Sequence, residues 1–158
     1  MVYTIRKIKQ SEIPLLSDFL YEAIFIPKGA VPPPREIINQ PELQVYISAF
    51  GKRDSDICYV AEVNDRIVGA VWVRIMSDYG HIDDETPSFA ISLYKEYRNQ
   101  GIGTALMKAI LNELKEKGYK QTSLAVQKEN YALKMYKKVG FEIVDENDEE
   151  YIMLYHLY

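Results

Sequence analysis

Arg98, Gly101 and Gly103 stand within six residues of one another in Arg98-Asn99-Gln100-Gly101-Ile102-Gly103-Thr104. Those residue types at that spacing suit an anion. The stretch follows a predicted strand and opens the longest amphipathic helical pattern in the chain. A helix start leaves backbone N–H groups unpaired and carries positive dipole character. Glycines at 101 and 103 let the backbone approach a ligand where a Cβ would collide. Phosphate is the natural occupant, and Arg98 adds a charge suited to its oxygens. Neither common phosphate loop fits. The ATP-type loop needs a lysine before Ser or Thr, and Gly103-Thr104 has none. The dinucleotide fingerprint needs a third glycine at 106, where Leu106 stands. The loop alone leaves two alternatives: another phosphate ligand, or a tight strand-to-helix turn that binds nothing.

Other side chains with reactive chemistry are sparse. Cys58 opens a predicted strand with no base partner identifiable, which reads as a packed thiol. His81 sits with Asp78 and Asp83 in an acidic loop, but the spacing matches no strong zinc pattern, so no metal is expected. His156 falls in the terminal strand and reads as structural. Lys115, Lys117 and Lys120 accompany Glu113 and Glu116, as on a solvated helix face with ion pairs.

The elements that must position these residues follow from periodicity. Residues 3–8 alternate as a half-buried strand. Ser11 offers a helix cap, and Leu15, Leu16, Phe19, Leu20 and Ala23 predict a helix over 12–23. A second helical stretch, 35–50, is interrupted by Pro41. Residues 57–76 read as a hairpin turning at Asn64-Asp65. An acidic connection, 77–87, leads to an apolar strand at 89–93. A long helix runs from 103 or 104 to Lys117, with Gly118 as its cap. Then come a strand over 121–127, a helix over 130–139 ended by Gly140, and strands at 141–144 and 151–155. The order β-α-α-β-β-β-α-β-α-β-β predicts a mixed α/β (α+β) sheet flanked by helices.

The chain has 158 residues, 47% of them apolar and 27% charged, which suits one domain spanning 1–158. A net charge of -4 argues against a nucleic-acid coat. No apolar run reaches the ~20 residues that cross a bilayer, so no membrane partner is expected. One cysteine excludes an internal disulfide and suits a cytoplasmic setting.

The loop resembles the coenzyme A signature of the GCN5-related N-acetyltransferase (GNAT) family: Arg or Gln, two residues, Gly, one residue, Gly or Ala. Arg98, Gly101 and Gly103 match it. A second family motif is similar to Asn130-Tyr131-Ala132-Leu133-Lys134-Met135-Tyr136-Lys137-Lys138-Val139-Gly140-Phe141. The resemblance covers about residues 57–155 and is strongest over 89–141. It implies a splayed mixed sheet and acetyl-CoA as co-substrate, with the acetyl group passing to a primary amine of a small molecule or peptide. It implies that backbone groups of Ile91 and Leu93 pair with the pantetheine arm. The pyrophosphate would lie on Arg98 and on the amides of Asn99, Gln100, Gly101, Ile102, Gly103 and Thr104. Asn130 would contact the arm, and Tyr136 would protonate the leaving thiolate. Many members carry a glutamate on the strand before the signature as base. This strand has none, and Glu85 is the nearest acid, with Glu22 second. Residues 21–35 would face the acceptor, with Phe25 in an apolar wall and Glu22 drawing the amine. Family habit and an apolar end at Tyr155, Leu157 and Tyr158 suggest a homodimer. The missing strand glutamate motivates an alternative, a non-catalytic acyl-CoA-binding or sensory module of the same fold.

Overall fold

The computed structural model describes residues 2–158. A seven-stranded sheet runs in the order β1-β2-β3-β4-β5-β7-β6. Its strands are β1 (Thr4–Lys7), β2 (Ile57–Val63), β3 (Arg66–Arg74), β4 (Ser88–Leu93), β5 (Gln121–Gln127), β6 (Glu142–Glu146) and β7 (Glu150–His156). The helices are α1 (Leu16–Glu22), α2 (Pro41–Gln44), α3 (Ile102–Glu116) and α4 (Ala132–Val139). Every neighbouring pair of strands is antiparallel except β4 and β5, which run parallel.

Strand alternation sends successive side chains to opposite faces, and each face carries its own core. On one face, Phe89 of β4 and Leu124 and Val126 of β5 pack beneath Ile102, Leu106, Met107, Ile110 and Leu114 of α3. The four-residue recurrence in α3 aligns these side chains on one stripe. On the other face, Cys58, Val60, Ala70 and Trp72 pack against Leu16, Phe19 and Leu20 of α1 and against Ile38 and Phe50. The Trp72 indole N–H donates to the Tyr46 carbonyl at 3.1 Å. Arg74 is fully buried at the end of β3. Its guanidinium donates twice to the Asp56 carboxylate, at 2.9 and 2.8 Å, and to the carbonyls of Val45 and Ser48. The carbonyl bonds tie the sheet to the segment after α2.

The structure departs from the predicted elements in several places, each for a local reason. The helix expected over 12–23 begins as a 3-10 helix, Gln10–Leu15, and becomes α1 only at Leu16. Pro14 supplies no N–H for an α-type bond there. Ser11 does not cap it: the Glu12 carboxylate accepts from the Lys9 amide at 2.8 Å. The stretch 35–50 splits into a 3-10 helix, Arg35–Asn39, the single turn of α2, and turns beyond. Helix α3 starts at Ile102, ahead of the predicted 103 or 104, because Gly101 adopts the left-handed cap. Glu113 is buried rather than solvated: it receives the Tyr59 hydroxyl at 2.7 Å and pairs with Lys7 and Lys117. Of the apolar chain end, Leu157 is buried and Tyr155 packs on Phe141, while Tyr158 stays exposed with its hydroxyl donating to the Lys115 carbonyl.

Candidate active site

The sheet is incomplete between β4 and β5. The two strands share one bridge, Ser88 with Ser123, and then part, although β4 runs on to Leu93 and β5 to Gln127. The bridge is closed by the Ser123 amide donating to the Pro87 carbonyl at 3.1 Å. Antiparallel pairing alternates the direction of backbone groups. The Tyr94 amide donates to Val68 of β3 at 3.0 Å. In the observed register the amides of Ser92, Ala90 and Ser88 therefore also face β3. Those of Ile91 and Leu93 face the gap, and that of Phe89 faces β5 at the bridge. The fork thus exposes a strand edge for an extended ligand to pair with, and Ile91 and Leu93 both lie on it.

The loop expected to hold an anion follows directly. Asn99 and Gly101 are left-handed, with φ of +60° and +86°. These turns point successive amides the same way, as in a nest. Among the described residues, none of the six amides from Asn99 to Thr104 donates a hydrogen bond, and the first bond into α3 comes from Ala105 to the Gly101 carbonyl. A Cβ on Gly101 would meet nothing of the chain within 4 Å, so the space above it is open. A Cβ on Gly103 would meet Met135 Sδ of α4 at 3.3 Å and Leu93 Cδ1 at 3.6 Å. Gly103 therefore also serves the close approach of α3, α4 and β4.

Arg98 is committed mostly to the chain. Its Nε donates to the Leu93 carbonyl at 3.0 Å and its Nη2 to the Glu22 carbonyl at 3.4 Å, joining the end of β4 to the end of α1. Asn130 uses Oδ1 to accept from the Ala132 amide at 2.9 Å, capping α4 and leaving its amide nitrogen free. Tyr136 is buried on the α3 face. Its ring packs edge-on against Phe141, centroids 5.9 Å apart, and Phe141 packs likewise on Phe89 at 5.6 Å. Phe89 is the first β4 residue past the bridge, so this ladder carries Tyr136 toward the fork. Burial pushes its hydroxyl well above the usual tyrosine range. That hydroxyl makes no hydrogen bond among the described residues, and its oxygen is not sealed from solvent.

Of the acids named from sequence, Glu22 lies at the end of α1, where its carbonyl receives Arg98, and Glu85 lies before β4. Glu85 is exposed on a turn, its amide bonded to the Asp83 carboxylate at 2.9 Å. Thr86 beside it meets Gln121, on the closed side of the Ser88–Ser123 bridge. Glu22 and Phe25 are half-buried at and after the end of α1. Cys58 is buried and burial raises its thiol, as expected of a packed residue. The ring nitrogen Nδ1 of His81 lies 2.8 Å from the Met76 carbonyl. No group of three metal-ligating side chains occurs among the described residues. Sequence reasoning missed the contact of the β3–β4 loop with the fork, through Asp78 and Gly80. The only signal was a serine at each strand's bridging position.

Residues 21–141 match the model of the acetyltransferase (GNAT) family. The chain belongs to that family. By family it is an acyltransferase that uses acetyl-CoA. An acetyltransferase of Pectobacterium atrosepticum is 32% identical over 109 residues, 68% of this chain and 71% of that protein. An N-alpha-acetyltransferase of Sulfurisphaera tokodaii is 33% identical over 95 residues, covering 54% of this chain and 56% of that one. The fold is shared with the PaiA N-acetyltransferase of Thermoplasma acidophilum in complex with coenzyme A, with a TM-score of 0.74 at 19% identity over 99% of both chains. No helix of the described residues is long and apolar enough to cross a membrane.

Proposed function

We propose that the chain is an acetyl-CoA-dependent N-acetyltransferase that moves an acetyl group to a primary amine of a small molecule or peptide by direct attack in a ternary complex. One observation carries the reading. Six unpartnered amides lead into a free strand edge, and that edge ends at a fork through the sheet. The amides from Asn99 to Thr104 hold the diphosphate. The edge amides of Ile91 and Leu93 pair with the pantetheine arm, and Asn130 adds its free amide nitrogen. From Leu93 to Ser88 the edge spans about 16 Å at ~3.3 Å per residue, which lays the thioester near the fork.

The residues then divide the chemistry. The amine forms a C–N bond to the carbonyl carbon, and an edge amide of β4 steadies the oxyanion. The C–S bond breaks, and the Tyr136 hydroxyl gives its proton to the thiolate. Its raised pKa keeps the hydroxyl protonated, and the tyrosinate left after the transfer regains a proton from water. The ammonium proton leaves by water toward exposed Glu85 on the turn before β4. Glu22 and Phe25 line the acceptor approach.

The test is a melting screen with acetyl-CoA, ATP and NAD, then thiol release with a panel of amines. At a hundred times Kd a ligand adds about 2.7 kcal/mol of stability, or roughly 5–11 °C in Tm for a domain of this size. Acetyl-CoA is expected to give that shift, and an amine is expected to release thiol. A shift with ATP or NAD but none with acetyl-CoA refutes the reading. Strong coenzyme binding with no turnover on any amine selects the non-catalytic acyl-CoA-binding module, which the lack of a carboxylate within Ser88–Leu93 favours.

A further inference from the structure

A second set of groups reaches the fork from the opposite face. Ser88 and Ser123, the bridging pair, alternate with the residues that face α3, so both turn toward the α1 side. Both hydroxyls donate into the β3–β4 loop: Ser88 to Asp78 Oδ1 at 2.6 Å, and Ser123 to the Gly80 carbonyl at 2.7 Å. Gly80 lies so close to β5 that a Cβ there would stand 3.0 Å from the Ala125 nitrogen and the Leu124 carbonyl carbon. These contacts hold residues 78–80 against β5 just past the bridge, on the open side of the fork. Glu85 stands on the closed side.

Asp78 has no charged partner among the described residues. Ser88 donates to its Oδ1, the Tyr46 hydroxyl also lies against the carboxylate, and the side chain is only half-buried. Among the described residues no Lys, Arg or His pairs with it, in contrast to Asp56, which Arg74 neutralises in full. Around it stand the Tyr46 hydroxyl, whose proton is held by burial and by the Asp78 carboxylate, with Glu150 and Tyr79 also near that hydroxyl. A carboxylate without a cation of its own leaves its charge for a cationic ligand to pair with.

Resting on the acetyltransferase reading, we infer that Asp78 is the acceptor-binding residue. Its carboxylate accepts a hydrogen bond from the incoming amine, which has given one proton to water, and turns the nitrogen lone pair toward the thioester carbonyl. The acceptor enters from the α1 face, while the coenzyme lies along the α3 face with Tyr136. The two meet only where β4 and β5 part. The site takes an amine that arrives as an ammonium, and it disfavours neutral nucleophiles such as alcohols.

The test uses the amine from the panel that releases thiol fastest, among ethylamine, tyramine, spermidine and an alanine-initiated peptide. In Asp78→Asn, KM for that amine is expected to rise about tenfold or more, the scale of one charged hydrogen bond, with acetyl-CoA Kd unchanged. Asp78→Glu is expected to recover part of the loss. KM within about twofold of wild type in Asp78→Asn overturns the inference. A second measurement needs no variant. On the wild-type enzyme, benzyltrimethylammonium is expected to compete with the amine and its uncharged isostere, neopentylbenzene, to compete at least about tenfold more weakly. Equal inhibition overturns the assignment. If acetyl-CoA itself fails to bind wild type, the acetyltransferase reading falls and takes this one with it, a result the other measurements do not mimic.

Discussion

Replacing Gly101 by alanine separates what the loop costs in folding from what it does for a ligand. Gly101 has φ of +86°, and a Cβ there meets no atom of the chain within 4 Å. The folding cost is therefore backbone strain alone, about 1–2 kcal/mol for an L-residue in the left-handed region. For a domain of this size that is roughly 2–8 °C in Tm. Relief of the strain turns φ negative and re-aims the amides of Gly101 and Ile102. Two charge-assisted hydrogen bonds lost at about 1.5–3 kcal/mol each weaken acetyl-CoA by roughly 10²- to 10⁴-fold. Gly118 supplies the control. It has φ of +88° and equally open space, but lies past the other end of α3. Gly118→Ala is expected to lower Tm by a similar amount and leave the coenzyme Kd untouched. Calorimetric melting and titration with acetyl-CoA read both quantities. If Gly101→Ala lowers Tm as Gly118→Ala does but binds acetyl-CoA within about threefold of wild type, the amides do not hold the diphosphate.

Tyr136→Phe is expected to lower kcat about a hundredfold or more while coenzyme Kd stays within a few-fold. Because burial raises this hydroxyl, wild-type kcat is expected to show no falling limb from loss of the acid up to about pH 10, the ordinary tyrosine value; a limb that Tyr136→Phe abolishes, centred below pH 9, counts against that placement. Asp56→Asn leaves the Arg74 guanidinium buried without its counter-charge, at a cost of about 3–5 kcal/mol, or roughly 6–20 °C in Tm. The Asp56 carboxyl is held below its ordinary value by hydrogen bonds from Arg74 and the Gly51 and Arg53 amides, which outweigh its desolvation. Its contribution is thus present above the unfolded-state pKa and lost as pH falls through the folded one. Acid melting of wild type but not of Asp56→Asn is expected to show that loss.

The sequence reveals those features that reside in local pattern. Period-two and period-four spacing marks β2, β3, β4, β5 and α3 because each buries one stripe or face against a core. The loop is legible because glycine spacing and a helix start are both local. The early helices were less so. Pro14 and Pro41 shift the chain between 3-10 and α geometry, and tertiary contacts with Trp72 and Arg74 decide where each turn ends. Glu113 looks like a surface acid in a Lys-rich helix, yet Tyr59 and Lys7 reach it from strands far away in sequence. The place of Asp78 was invisible for the same reason. It depends on Ser88, Ser123 and the bare backbone of Gly80 meeting where two strands part, and no periodicity encodes that meeting.

The two hydrophobic cores touch different helices and share little besides the sheet between them. Changes in separated, unshared surroundings tend to add rather than interfere. The exposed positions of residues 10–50 and of the turn before β4 are therefore free to diversify around their own buried core, while the half beneath α3 keeps one nucleotide-bearing donor unchanged. The seam left open in the sheet is what lets one scaffold keep a fixed reagent and exchange its clientele.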